Sequence, residues 1–98
     1  MQEQFVGSWK IQVSSPLGVD YYTLAISPSL NAMLSEARGS MQFDDVQFIS
    51  NTFQLIGKTE TPTKSIIVMN GRLEDRVIFG TIKINEYCMV DFKGLKNE

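Results

Sequence analysis

Histidine is absent from the 98 residues, and cysteine occurs once, at Cys88. Without imidazole, serine–histidine–aspartate and cysteine–histidine catalysis, imidazole-ligated zinc and the usual neutral-pH acid–base group are excluded. One thiol can form neither an internal disulfide nor a cysteine-rich metal site. Flanked by Tyr87 and Met89-Val90, Cys88 reads as a small hydrophobe in a core strand. No apolar run approaches the ~20 residues of a membrane span, and no charged-then-apolar leader precedes the first patterned segment, so a cytoplasmic protein is the expectation. No glycine pattern matches a phosphate-cradling loop and no acidic pattern a calcium loop. Neither metal nor cofactor is expected.

A basic excess is also missing. Nine basic against eleven acidic side chains leave a net charge of -2, whereas proteins that grip phosphate backbones carry a basic excess or a dense basic stripe. Nucleic acid is therefore a disfavoured partner. Two carboxylate pairs remain as candidates for acid–base work, Asp44-Asp45 and Glu74-Asp75. Neighbours on a strand point to opposite faces, so Asp44 and Asp45 share a proton only across a bend. Glu74-Asp75 sits at an expected turn, where exposed acids are ordinary. Nothing positive points to an enzyme.

What is there is strand. Phe5, Gly7, Trp9, Ile11 and Val13 alternate with Val6, Ser8, Lys10 and Gln12 around the only tryptophan, the period of a half-buried strand. Ser14 to Gly18 reads as a turn, and Val19 to Ser27 as a second strand with Tyr22, Leu24 and Ile26 on one face. The next segment carries two readings. Leu30, Met33, Leu34 and Ala37 fall at helical spacing between Pro28 and Gly39, which suits a short helix; a strand from Asn31 to Arg38 competes with it. Gly39 to Ile49 is strand-like, and its apolar parity slips at Asp44-Asp45, as at a bulge. Ser50-Asn51 turns into a strand reaching Gly57, and Lys58 to Lys64 is loop-like. The last third is densest in strand signal: Ser65 to Met69, Arg76 to Ile84 and Glu86 to Lys93. Asn70-Gly71 is the strongest hairpin signal, Glu74-Asp75 rivals it, and Asn85-Glu86 makes the final turn. Apolar content of 43% supports a core. Residues 1–98 read as one all-β domain, an antiparallel up-and-down meander of seven or eight strands that closes or nearly closes.

Gly7-Ser8-Trp9, placed in the first strand of such a meander, resembles the glycine-any-tryptophan signature of the calycin barrels: lipocalins, fatty-acid-binding proteins and avidins. The resemblance implies an antiparallel barrel with Gly7 and Trp9 at its closed end and a basic residue of the last strand over the indole. Lys96 is the residue whose parity with Phe92 turns it inward, and Lys93 is the alternative. The resemblance also decides the middle segment in favour of the strand from Asn31 to Arg38. It further implies a non-catalytic binding module for a small apolar molecule, since small barrels either fill their interior or hold one modest ligand. Tyr22, Phe43, Met69, Phe79 and Thr81 are the candidate lining residues. A second reading is a structural or oligomerisation module. Ile66 to Met69 and Val77 to Phe79 are apolar on both faces, which would leave a hydrophobic patch suited to a homodimer.

Overall fold

The period-two alternation of the first strand sets the architecture. In the computed structural model, which describes residues 3–37, 39–59, 64–86 and 88–97, β1 (Gly7–Ser15) buries Trp9, Ile11 and Val13 and turns Lys10, Gln12 and Ser14 to solvent. It is followed by β2 (Gly18–Ile26), β3 (Ala32–Glu36), β4 (Gly39–Ile49), β5 (Thr52–Thr59), β6 (Ser65–Glu74), β7 (Val77–Ile84) and β8 (Cys88–Lys96). Each strand pairs antiparallel with its neighbours in sequence, and β1 pairs with β8, Trp9 opposite Lys96. The result is a closed eight-stranded up-and-down barrel, a calycin-like small barrel fold. Closure gives nearly all inter-strand hydrogen bonds a partner.

The middle segment forms a strand, not a helix. Ala32 is buried and Leu34 half-buried on the barrel side, while Met33 faces out. Pairing on both flanks, with Ala25 and Gln42 for Met33, overrides the helical spacing. The strand ends at Glu36; Arg38, to which it was expected to run, lies outside the described residues. The parity slip in β4 is a register shift between Phe43 and Asp45. It lets Met41 and Phe43 on one side of the bulge, and Val46 and Phe48 on the other, all pack on the core.

One choice that the sequence leaves open is decided, and two expectations are corrected. Asn70-Gly71 does not turn; both residues lie inside β6, opposite Gln54 and Phe53. The turn is made by Asp75 and Arg76, which take φ of 51° and 69° between the paired Glu74 and Val77, the backbone of a two-residue hairpin loop. Gly71 is a glycine for room instead: an added Cβ would lie 2.5 Å from Phe53 Cζ and 2.9 Å from Phe92 Cζ. Cys88 is exposed, because β8 starts at the barrel rim beside the solvent-facing Met89. Finally, the parity of β7 buries Ile78 and Ile82, which places Phe79 and Thr81 on the outer wall.

Candidate functional site

The two ends of the barrel differ. Strand direction puts the segment before β1, the β2–β3, β4–β5 and β6–β7 connections and the end of β8 at one end, and the other connections at the opposite end.

The first end is closed. A single 3-10 turn, Glu3–Phe5, lays Phe5 across it, fully buried. Phe5 packs on Phe48 and Phe53, with ring centroids 4.9 and 5.6 Å away, and Phe53 continues to Phe92 at 6.3 Å. Trp9 donates its indole N–H to the Phe5 carbonyl at 2.9 Å, which gives this buried donor its partner. The Lys96 ammonium lies 5.4 Å from the centroid of the Trp9 ring and 3.5 Å from the Gln4 carbonyl. A Cβ on Gly7 would come within 2.9 Å of Lys96 Cε, and φ at Gly7 is +132°; the glycine makes the room through which the lysine stem passes. Lys93 is on the opposite parity, exposed on the outer wall. Gln4 donates to the Ser50 carbonyl at 3.1 Å, which ties the closing segment to the β4–β5 turn. Mid-barrel, Met69 and Leu55 are fully buried, and Gly94 leaves space that Ile11 and Ile78 occupy.

The second end is the open one. Tyr22, Leu34, Met41, Ile67, Ile84 and Val90 come from different strands, point inward and are only half-buried over the core. Beneath them Val13, Phe43 and Ile82 are buried. Gly57 stands at this level too, with Phe43 Cδ1 and Met41 Cε 3.1 and 3.2 Å from where its Cβ would be. Five of the six side chains in this mouth ring are apolar and Tyr22 carries a hydroxyl; Ser15, Thr59 and Ser65 share their inward parity at this end. The β5–β6 loop beside it, residues 60–63, lies outside the described residues, as does Tyr87.

Among the expected lining residues, Tyr22 stands in the mouth, Phe43 just below it and Met69 deep in the packed middle. Phe79 and Thr81 belong to the outer wall and join no interior site. Leu34, Met41, Ile67, Ile84 and Val90 complete the ring and were missed by sequence reasoning. Their signal was period-two parity relative to Tyr22 and Phe43, carried through the strand pairing.

The outer wall carries two shallow grooves. One, of about 400 Å³, is lined by Lys64, Ile66, Val68, Lys83, Asn85 and Glu86. The other, of about 290 Å³, lies along Gln47, Thr52, Gln54 and Asn70. Both are open to solvent. Asp44 and Asp45 are exposed at the bulge, and Glu74 is held by Arg72 at 3.1 Å. No group of three or more Cys, Asp or Glu side chains among the described residues could hold a metal. No helix among them is long and apolar enough to cross a membrane. Comparison with protein families, with curated proteins and with solved structures returns no match to this chain.

Proposed function

We propose that the protein is a non-catalytic binding module that holds a small, mostly apolar molecule at the open mouth of the barrel. One observation carries the reading: six inward side chains, Tyr22, Leu34, Met41, Ile67, Ile84 and Val90, are only half-buried around one end, while the fully buried Phe5 crosses the other. A small barrel with a filled floor and an uncovered apolar rim has surface to offer a modest ligand. Tyr22 adds a polar group to the apolar ring, and Met41 supplies an adaptable side chain. Contact is shallow, so the ligand is small and held chiefly by apolar burial.

A neutral fluorophore tests this. N-phenyl-1-naphthylamine titrated into the protein should give saturable fluorescence enhancement, and Leu34→Asp, which places a charge in the ring, should abolish it. Native mass spectrometry of freshly purified protein should carry a co-purified small molecule that the variant lacks. A linear, unsaturable signal, or an equal response from Leu34→Asp, overturns the reading.

A second reading rests on the outer wall of β6, β7 and β8, where Ile66, Phe79, Met89 and Leu95 are exposed and Val77 pairs with Leu95. Exposed apolar side chains on one wall favour self-association. A constant monomer mass in sedimentation up to 100-fold dilution from ~100 µM would exclude it at the affinities of ordinary dimers.

A further inference from the structure

The barrel is closed, but β3 covers only part of β2. That strand has five residues, whereas β2 has nine, and only Thr23–Ile26 of β2 pair with it. The chain turns back after Glu36, which pairs with Gly39. By the β2–β3 register Tyr22 lies opposite Glu36, the last residue of β3, so residues 18–21 continue past its end for roughly 13 Å. Antiparallel pairing alternates, and every second residue aims its N–H and C=O at the same neighbour. The Thr23 carbonyl accepts from Ser35 Oγ at 3.4 Å, so the Thr23 backbone faces β3. Tyr21 and Val19 share its parity and aim their backbone groups the same way, where no strand follows. Asp20 and Tyr22 face β1, opposite Val13 and Ile11.

The side chains suit an interface. Val19 and Tyr21 stand on the outer side, 49% and 56% exposed, with Lys10 Nζ 5.0 Å from the Tyr21 ring centroid. Asp20 projects between them to the mouth side and is exposed. We propose that this free half of β2 accepts an extended segment of a partner protein as an added strand. The segment alternates apolar, basic, apolar, with its Lys or Arg opposite Asp20. Val19 and Tyr21 each offer a donor and an acceptor to the added backbone. Asp20 sits in the closely spaced type of pair, where an opposite charge helps and a like charge hurts.

The same carboxylate argues against a second copy. The register that joins Val19 to Tyr21 of another copy sets Asp20 directly against Asp20. A charge in this place is a common guard against edge-to-edge aggregation, and here it also selects the partner.

The test uses the intact protein and two labelled, end-blocked pentapeptides, Thr-Val-Lys-Val-Thr and Thr-Val-Asp-Val-Thr, in fluorescence anisotropy. The lysine peptide should bind about tenfold more tightly than the aspartate peptide, and Asp20→Lys should invert that order. Tyr21→Pro deletes an N–H that the barrel does not use, so it should abolish binding of the lysine peptide with an unchanged urea midpoint. Should that variant unfold, the charge inversion in Asp20→Lys decides alone. Equal affinity for both peptides, no binding of either, or self-association of the native protein that Tyr21→Pro removes would each overturn the proposal. Mouth variants such as Leu34→Asp separate this surface from the apolar site, since they should leave peptide affinity unchanged.

Discussion

Gly71→Ala tests whether the closed half of the barrel is packed to its limit. Gly71 is not among the residues with positive φ, so alanine is compatible with the backbone and any cost is steric. The new methyl would sit 2.5 and 2.8 Å from two atoms of the Phe53 ring and 2.9 Å from Phe92 Cζ, against the ~3.5–4.0 Å of ordinary carbon contacts. Neither ring can retreat easily, since Phe53 packs on Phe5, Phe48 and Phe92 and is 4% exposed. Overpacking of this kind costs about 1–3 kcal/mol. In a domain of this size that lowers Tm by roughly 5 to 20 °C. Urea denaturation followed through Trp9 fluorescence reads the loss directly. Phe53→Leu shortens the ring that the methyl meets, so Gly71→Ala should cost at least ~0.5 kcal/mol less in that background. A cost below ~0.5 kcal/mol in the native background, or the same cost in both backgrounds, would refute the packing argument. A position needing glycine for its backbone would give the second of those results.

Lys96→Ala should destabilise by about 0.5–2 kcal/mol and change Trp9 emission, because the ammonium leaves the indole face. Lys10→Ala gives up only an exposed contact with the Tyr21 ring at 5.0 Å, so it should cost at most about 0.5–1 kcal/mol and leave Trp9 emission unchanged; the same destabilisation with the same emission change in both variants would remove the special role of Lys96. Ser50 holds φ of 55° in an exposed turn, a conformation that costs an L-residue ~1–2 kcal/mol. Ser50→Gly should therefore raise the urea midpoint by up to ~1 kcal/mol of stability after the entropic loss at glycine, and a lowered midpoint would contradict the strain.

Much of this barrel was legible locally. Trp9, Ile11 and Val13 alternate with polar residues, so their inward side is evident before any pairing is known. The slip at Asp44-Asp45 was readable for the same reason, as apolar parity changes there. In β7 the signal fails: Val77, Ile78 and Phe79 are all apolar, so parity has no polar reference and Phe79 was placed inside. Asn70-Gly71 and Glu74-Asp75 could not be told apart as the turn, because glycine serves two physical purposes, freedom at positive φ and room beside a neighbour, and a dipeptide cannot distinguish them.

By itself, then, the sequence determined the class of fold, an antiparallel meander built on the strand of Trp9, because period-two burial is a property of each strand alone. It also excluded the chemistry that needs imidazole or paired thiols, because composition suffices for that. Only the tertiary structure decided which end is plugged, since Phe5, Phe48, Phe53 and Phe92 meet across strands far apart in the chain. The mouth ring is likewise a product of closure, with each member set by the register of its strand against the next. The free half of β2 follows from a difference in length between two neighbours, which appears only when they are laid side by side.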